Sequence, residues 1–361
     1  MYSDQALRRT TAPTPSIRAV VAPYQHADLR RSLWQVVNTF VPYLLLWNLM
    51  YWSLAYSYWI TLALAIIAGG FLIRIFIILH DCGHGSFFAS QTANDILGSI
   101  CGVLTFTPYF QWRHDHAVHH ATAGDLDRRG GGDVYTLTVA EYRRMSSWER
   151  FQYRVLRHPL VMLTVGAAWA FILSQRVPLP RSRRRERRSV YATNIALLAI
   201  ILVLSVTIGF RAYLLIQLPV ALFAAMVAVW LFYCQHQFEG TYWARHPDWD
   251  FEIAALHGSS YFRMSKVVQW FTGNIGFHHV HHLNPRVPNY YLQACHNAHP
   301  RFQEAATITF WTSRKFFALK LWDEERQQLV GLRELQAVTA PKVQAGGEQE
   351  SALGSGIGEL E

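Results

Sequence analysis

Long stretches without a charged side chain dominate the pattern of apolar and polar positions along this chain. Residues 32–73 contain no Asp, Glu, Lys or Arg, and neither do residues 189–210 or 212–238. The first stretch would form about 63 Å of helix, enough to cross a bilayer twice. Such lengths fit membrane spans better than core helices. We therefore predict spans at 33–52, 57–79, 190–210 and 213–234.

The remaining segments complete the prediction of an all-α integral membrane protein, with two helical hairpins and a cytoplasmic helical cap. The apolar stretch 160–173 is short for a span. A span there would also separate the basic run of the chain from its histidine-rich segments, so we expect a re-entrant or interfacial helix. We expect a mobile cytoplasmic arm at 1–31, the membrane domain at 32–310, a C-terminal helix at 311–336 and a disordered tail at 337–361.

The connector between the first two predicted spans orients the protein. Its aromatic residues are Tyr51, Trp52, Tyr56, Tyr58 and Trp59. Aromatic residues of this kind are typical of a membrane interface, and a connector without a basic residue faces away from the cytoplasm. Both termini, and the ends of the second and fourth spans, are therefore predicted to lie on the cytoplasmic side.

Charge adds one feature to this picture. The chain has 361 residues, a net charge of +9 and only 16% charged residues, against about 25% in a soluble domain. Residues 181–188 hold six arginines. A nucleic-acid patch is the general interpretation of such a run, but beside an apolar span we favour a cytoplasmic juxtamembrane segment and no nucleic-acid partner. Four scattered cysteines predict reduced thiols without a disulfide framework.

Three histidine clusters share a spacing that brings their side chains to one face of a helix, because positions i, i+3 and i+4 are neighbours there. The clusters are His80 with His84, His116 with His119 and His120, and His278 with His281 and His282. His236 ends the predicted fourth span, on the same side and near the same depth. These nine residues are the candidate metal ligands and the candidate catalytic set.

The number of candidate ligands indicates two metal ions. A structural zinc takes four ligands and a catalytic zinc three, so nine suit two ions with open positions for a small molecule. Imidazole suits iron, zinc, copper and nickel. Oxidation chemistry on an apolar chain would then point to iron and dioxygen.

Other polar residues near the clusters are weaker candidates. The histidines that lie near the site but outside the spacing are His114, His257 and His279. Ordinary structural or surface roles are expected for His26, His158, His246, His296 and His299. Side chains that could accept a hydrogen bond from a ligand imidazole are Asp81, Asp115, Asp125, Glu239, Asp248 and Asn284.

Four stretches carry a resemblance to a known family. Residues 80–88, 116–120, 235–239 and 276–282 are HDCGHGSFF, HAVHH, QHQFE and GFHHVHH. With these histidine boxes the chain resembles the membrane-bound fatty acid desaturases, in particular bacterial acyl-lipid desaturases. The resemblance implies four spans, a cytoplasmic di-iron site held by the nine histidines, and a buried acyl tunnel. One departure is visible: the animal acyl-CoA enzymes have an asparagine, bearing on one iron through water, where this chain has Phe232.

What the resemblance implies for activity is an oxygen-dependent desaturase that introduces a cis double bond into a fatty acyl chain in the bacterial inner membrane. We expect an acyl-lipid substrate and a delta-12/omega-6 or similar position. Aromatic and aliphatic side chains of the second and fourth spans would line the channel. No haem or iron–sulfur motif is visible, so a ferredoxin or a cytochrome b5-like protein would supply electrons.

Two alternatives stay open at this stage. The first is a related di-iron hydroxylase, ketolase or alkane monooxygenase, which keeps the metals but inserts oxygen. The second is a metal-ion transporter, which would place charged or histidine ligands inside the spans. The first, third and fourth predicted spans have no charged residue at mid-depth, which counts against a transporter.

Overall fold

The computed structural model describes residues 16–129 and 133–339, so residues 1–15 of the predicted arm and the predicted tail beyond Thr339 lie outside the described residues. Most of the described chain is helical. The helices of the first half are α1 (Ile17–Val21), α2 (Leu29–Ser53), α3 (Tyr58–His84), α4 (Gln91–Leu104), α5 (Tyr109–Thr122), α6 (Val139–Arg144), α7 (Ser147–Leu156) and α8 (Pro159–Arg176). Those of the second half are α9 (Arg184–Leu204), α10 (Phe210–His236), α11 (Phe251–His257), α12 (Lys266–Phe271), α13 (His278–Leu283), α14 (Asn289–Asn297), α15 (Pro300–Gln303), α16 (Phe310–Phe316) and α17 (Leu332–Thr339).

The first hairpin consists of α2 and α3. The side chain of Asp28 caps α2 by accepting hydrogen bonds from two backbone N–H groups of the first turn, at 3.0 and 3.1 Å. Across the connection, Ser53 Oγ and Thr61 Oγ1 lie 2.7 Å apart. α3 ends at Gly85, whose φ of +67° lies in the left-handed region that favours glycine. These local signals set the length of both helices.

The second hairpin consists of α9 and α10, which are separated by a π-helical turn and by Gly209 with a φ of +89°. α10 packs closely on α3. A Cβ atom at Gly69 would lie 2.5 Å from the ring of Phe223, so the absence of a side chain permits this approach. The two predicted hairpins are therefore joined through α3 and α10.

Three helical segments in residues 16–129 and 133–339 are long and apolar enough to cross a membrane: α3, α8 and residues 184–236. Their mean hydropathies over the most apolar 18 residues are 2.7, 1.2 and 2.4. α2 covers the first predicted span but is not among them, because Gln35, Asn38 and Asn48 reduce its hydropathy. The four-span topology stays a prediction.

Both ends of α8 lie on the side of the molecule that carries the histidines. Just before α8, Arg157 donates a hydrogen bond of 3.2 Å to Gln237 Oε1, beside His236. Just after it, the backbone N–H of Leu179 donates at 3.2 Å to Gln111 Oε1 on α5. A segment that begins and ends on one side is what the re-entrant prediction requires, although its length would allow a span.

The predicted mobile arm is wrong from residue 16 onward. α1 buries Ile17 and Val21, which are 5% and 1% exposed, in a cluster that includes Leu292 and Phe302. The backbone N–H of Asp28 also donates to Tyr290 Oη at 2.9 Å. The region is polar overall, but it contains a short helix with apolar residues at positions i, i+3 and i+4. A helix this short is stabilised by packing against the rest of the protein rather than by its own length.

The predicted helix at 311–336 is wrong over its centre, and the all-α class needs a correction. The strands of the described chain are β1 (Leu137–Thr138), β2 (Tyr261–Phe262), β3 (Thr307–Ile308), β4 (Leu319–Asp323) and β5 (Gln328–Gly331). β4 and β5 form an antiparallel hairpin, and β1 pairs with β4 in parallel. Leu321, Trp322 and Val330 are at most 2% exposed. β1, far away in the chain, adds a third strand beside β4, and this partner cannot be identified from local sequence.

Candidate metal centre

Four helices bring the nine predicted histidines together. Their sources are the end of α3 for His80 and His84, α5 for His116, His119 and His120, the end of α10 for His236, and α13 for His278, His281 and His282. All nine side chains are buried or half-buried. They divide into two groups, and in each group one ring nitrogen of every member lies within 4.8 Å of the others.

The first group contains five histidines. Its members are His80, His84, His116, His120 and His281. Nε2 of His120 lies 3.2 Å from Nε2 of His116 and 2.9 Å from Nε2 of His281. The rings of His80 and His84, one helical turn apart, have centroids 4.8 Å apart. Five imidazoles from three helices thus surround one point.

The second group contains four histidines: His119, His236, His278 and His282. Nε2 of His278 lies 3.0 Å from Nε2 of His236 and 3.1 Å from Nε2 of His282. The two groups adjoin, because the ring of His120 stacks on that of His282 with centroids 4.2 Å apart. The arrangement is therefore a pair of neighbouring centres rather than two separate ones.

The ring nitrogens fit a pair of cations. A neutral imidazole has one N–H and one lone pair, so the close nitrogen pairs within each group cannot all be hydrogen bonds. Nε2 of His84 and Nε2 of His119 are buried and have no hydrogen-bond partner among residues 16–129 and 133–339. A cation in each group would bind these lone pairs, and an all-imidazole set suits iron, zinc, copper or nickel.

Burial keeps His116 and His120 of α5 and the three site histidines of α13 uncharged at neutral pH. It lowers the pKa of His116 and His120 well below the usual 6.5, and neighbouring imidazoles lower it further. The same two causes lower the pKa of His278, His281 and His282. Neutral imidazole is the form that binds a metal ion.

Asp81 orients the first group. Its Oδ1 lies 3.1 Å from Nδ1 of His80, so that the Nδ1–H donates outward and the lone pair of Nε2 points to the group. Asn289 holds Asp81 in turn, because its backbone N–H and its Nδ2 donate to Oδ2 at 2.7 and 2.8 Å. The sequence predicted the role of Asp81 but not that of Asn289, which lies 208 positions away.

The second group is oriented by Asp133 and by a backbone carbonyl. Asp133 accepts a hydrogen bond from Nδ1 of His119, and the carbonyl of Gly258 accepts one from Nδ1 of His236 at 3.1 Å. Sequence reasoning missed both partners. An acidic residue after a glycine run in the loop that follows α5 could have indicated Asp133. No side-chain pattern could have indicated a carbonyl.

The remaining predicted acceptors bond elsewhere. Asp125 Oδ2 lies 2.8 Å from Nδ1 of His246, and Asn284 Oδ1 accepts from the backbone N–H of Arg286. For Asp115, Glu239 and Asp248, residues 16–129 and 133–339 show no side-chain hydrogen bond to the nine histidines. Asp81 is therefore the one of the six candidates with such a bond among the described residues.

The histidines beyond these nine stay outside both groups. Nε2 of His279 lies 3.1 Å from Nδ1 of His296, and Nδ1 of His114 lies 3.9 Å from Glu186 Oε1. His257 is at the exposed end of α11. The five histidines expected to have ordinary roles, His26, His158, His246, His296 and His299, are likewise absent from the groups formed in the described chain.

Phe232 forms an apolar wall of the second group. It lies one turn before His236 on α10, with its ring centroid 5.3 Å from that of His236 and 5.2 Å from that of His119. Phenylalanine supplies no oxygen or nitrogen ligand. This side of the second group is thus hydrophobic.

A small apolar cavity with a volume of about 30 Å³ lies between α3, α8 and α10. The small residues Ala221, Ala224, Ala225 and Ala228 form one stripe of α10 that leaves this space. On α3, the ring of Phe76 lines the cavity and lies 5.4 Å from Trp112, which stacks on His116 at 4.4 Å. The cavity therefore ends within two rings of the first histidine group.

Comparison with known proteins gives this geometry a family. The sequence model of the family "Fatty acid desaturase" matches residues 57–314, which include all nine histidines. The chain belongs to the fatty acid desaturase family. Fatty acid desaturases are oxidoreductases, so the metal-ion transporter is no longer an alternative.

Individual relatives agree with the family. The chain is 45% identical over 318 residues to a fatty acid desaturase of Bacillus subtilis, covering 88% of this chain and 90% of the relative. It is 29% identical to an sn-1 acyl-lipid omega-3 desaturase (ferredoxin) of Synechocystis, over 63% of this chain and 64% of the relative. It is 26% identical to a chloroplastic sn-2 acyl-lipid omega-3 desaturase (ferredoxin) of Arabidopsis thaliana, over 65% and 54%.

Proposed function

We propose that this protein is an oxygen-dependent acyl-lipid desaturase that introduces a cis double bond into a fatty acyl chain. The observation that carries the proposal is the pair of adjoining histidine groups at the end of an apolar cavity. A polar metal site beside a dry apolar channel suits a reaction on carbon atoms that offer no hydrogen bond. Two relatives named as acyl-lipid desaturases support the lipid form of the substrate.

Two ferrous ions are the proposed cofactors. The five-histidine group would hold one ion and the four-histidine group the other, with the nine histidines as ligands. Bound iron would supply the redox chemistry by which dioxygen, with two electrons from the donor and two protons, takes two hydrogens from the acyl chain and leaves as two water molecules. Asp81, Asp133 and the carbonyl of Gly258 would hold three of the ligand rings in place.

The cavity between α3 and α10 is the proposed acyl site. Its mainly aliphatic and aromatic lining offers a saturated chain apolar contacts, so an acyl chain would be recognised there by shape rather than by hydrogen bonds. Phe76 and Trp112 stand between the cavity and His116. Contacts with these two rings would determine which carbon atoms come closest to the centre, since positioning is the main contribution that a protein makes to such a reaction.

The double-bond position and the electron donor are also proposed here. The sequence predicts a double bond at the delta-12/omega-6 or a similar position, whereas two relatives are named omega-3 desaturases. Analysis of the products distinguishes these two positions. The same names include ferredoxin, which supports a ferredoxin-type donor over a cytochrome b5-like one.

We also propose that the protein lies in the bacterial inner membrane, with four spans and with both termini and the histidines on the cytoplasmic side. Support comes from the position of the basic run, because Arg185 Nη2 binds Asp95 Oδ2 at 2.7 Å and Glu186 faces His114 on α5. Basic segments beside membrane helices lie on the cytoplasmic side.

Expression in a bacterial host without polyunsaturated lipids tests the function. We expect new fatty acids with one additional double bond by mass spectrometry, formed only with oxygen, and absent with a matched His281→Ala control. Labelled oxygen recovered in an alcohol or ketone, without a new double bond, would favour a hydroxylase, ketolase or alkane monooxygenase and overturn the proposal.

A further inference from the structure

The arginine run at the start of α9 divides between two faces of the helix. On the inner face, Arg185 pairs with Asp95, and its guanidinium carbon lies 3.9 Å above the ring of Phe110. Glu186 is buried on the same side, towards α5. This face is occupied by protein contacts and has its charge partly balanced.

The outer face carries unbalanced positive charge. Arg184, Arg187, Arg188 and Tyr191 occupy positions i, i+3, i+4 and i+7, and with Ser182 they line an open groove with a volume of about 340 Å³. All three arginines are exposed, and none forms an ion pair with a carboxylate among residues 16–129 and 133–339. Three exposed arginines therefore line one groove, and their charge is not balanced by a carboxylate of the described residues.

An apolar strip continues from this groove along the helix. Ile195, Leu198 and Leu202 follow Tyr191 on the same face and are 68%, 57% and 56% exposed. The opposite face of α9 is the one that packs on the protein, through Val190 and other buried residues. The groove and the strip together match a molecule with an anionic end and a long hydrocarbon chain.

We propose that this face of α9 binds one anionic phospholipid. The phosphate lies among Arg184, Arg187 and Arg188, whose planar forks suit bidentate bonds to phosphate oxygens, and an acyl chain lies along Ile195, Leu198 and Leu202. The strip faces away from the cavity between α3 and α10. The lipid bound to α9 is therefore a structural lipid and not the acyl substrate of the reaction.

Two rival roles for the arginines lead to different predictions. If the charges serve only membrane topology, lysine replaces arginine without effect, because the positive-inside rule counts both residues. If they bind an acidic protein, the apolar strip plays no part, since it continues along a helix of membrane composition. The lipid proposal requires both the arginine forks and the strip.

The test uses the full-length protein in nanodiscs of phosphatidylcholine with a small fraction of phosphatidylglycerol. Retention of phosphatidylglycerol is measured by native mass spectrometry after release. Replacement of Arg184, Arg187 and Arg188 by glutamine should weaken retention about a hundredfold, since each basic residue near an anionic surface contributes about 1 kcal/mol. Replacement of the three by lysine should weaken it less but measurably.

A matched variant controls for the loss of three charges. Glutamine at Arg143, Arg144 and Arg333, which are exposed and far from α9 in the chain, should leave retention unchanged. Iron content and membrane insertion should stay normal in all variants, which shows that each is folded. Equal retention in the glutamine variant of α9, or an equal loss in the control, would overturn the proposal.

Two further arms identify the ligand. Glycerol phosphate without acyl chains should compete poorly, and Ile195→Ser with Leu198→Ser should weaken lipid retention while the arginines remain. The proposal is contradicted if glycerol phosphate competes fully, or if the lysine variant retains lipid as well as the wild type does. It is also contradicted if the glutamine variant of α9 loses binding to an acidic ferredoxin but still retains the lipid.

Discussion

The two histidine groups are built from shared helices but are not equivalent. α5 and α13 contribute to both, α3 contributes only to the five-histidine group and α10 only to the four-histidine group. The first group is held from outside through Asp81 and Asn289, and the second through Asp133 and a backbone carbonyl. Phe232 contacts the four-histidine group, but its side chain has no atom that could bind a metal. We infer that the four-histidine group depends more strongly on each of its members.

Removal of one ligand from each group should have the largest effect. We expect His281→Ala, in the five-histidine group, and His119→Ala, in the four-histidine group, to abolish desaturation while the protein remains inserted in the membrane. Iron analysis should find a larger loss of bound iron in His119→Ala, because only three imidazoles would remain there. His26→Ala, on an exposed residue outside both groups, should behave as wild type. Near-normal turnover in either ligand variant would refute the ligand assignment.

Removal of an orienting carboxylate should have the next largest effect. We expect Asp133→Asn and Asp81→Asn to lower iron affinity or activity by about ten- to a hundredfold, the usual range for such partners. The effect should be larger for Asp133, since its group has one ligand fewer. Asp125→Asn, which changes a bond to His246 and not to a ligand, is the matched control. Equal effects at Asp133 and Asp81 would remove the inferred asymmetry.

Acid should destabilise the iron-free protein. Below about pH 6.5 the unfolded chain takes up protons on its histidines, whereas the lowered pKa values of His116, His120 and His282 keep these side chains neutral in the folded state. The unfolded state then binds more protons, so the free energy of unfolding falls as the pH is lowered. Thermal unfolding at about pH 7.5 and about pH 5.5 measures this difference.

Two controls define the origin of that pH dependence. His158→Ala, which removes an exposed histidine without a side-chain capping bond, should leave the dependence unchanged. Bound iron should stabilise the protein at neutral pH and be released in acid, because protons compete for the same nitrogens. An iron-free protein that is equally stable at both pH values would contradict the burial of neutral imidazoles.

Phe232→Asn should have the smallest effect. The amide would offer the four-histidine group an additional polar ligand or partner, so we expect iron to resist a chelator longer in that group, by less than about tenfold. Phe232→Leu, which keeps an apolar side chain, should not slow iron release. Faster iron release in Phe232→Asn than in Phe232→Leu would mean that the hydrophobic wall itself protects the group.

Local spacing was sufficient to predict much of this centre. His116, His119 and His120 could be assigned to one helix face because the helical period alone determines which neighbours share a face. The long uncharged stretches predicted α3, α9 and α10 for a similar reason, since the length and composition of a membrane helix are local properties. Asp81 could be predicted as a hydrogen-bond acceptor because it is adjacent in sequence to His80, the histidine that it orients.

Structural features that depend on partners far away in the chain could not be predicted from the sequence. The helix α1 and the strands β4 and β5 were mispredicted because each is stabilised by residues far along the chain. The carbonyl of Gly258 was missed because nothing in the local pattern links it to His236. Asp133 follows a glycine run after α5, and only the fold of that loop brings its carboxylate to His119. Hydrogen bonds of this kind exist only after the chain has been folded back on itself.

The amino-acid sequence by itself determined the identity and number of the imidazole groups, their helical faces, and the apolar lengths around them. Only the tertiary structure decided that five histidines meet at one point and four at a neighbouring one, and which carboxylate serves which group. The physical reason is range: periodicity and hydropathy act over a few residues, whereas the two histidine groups arise where four helices converge, and the packing of those helices depends on the whole chain.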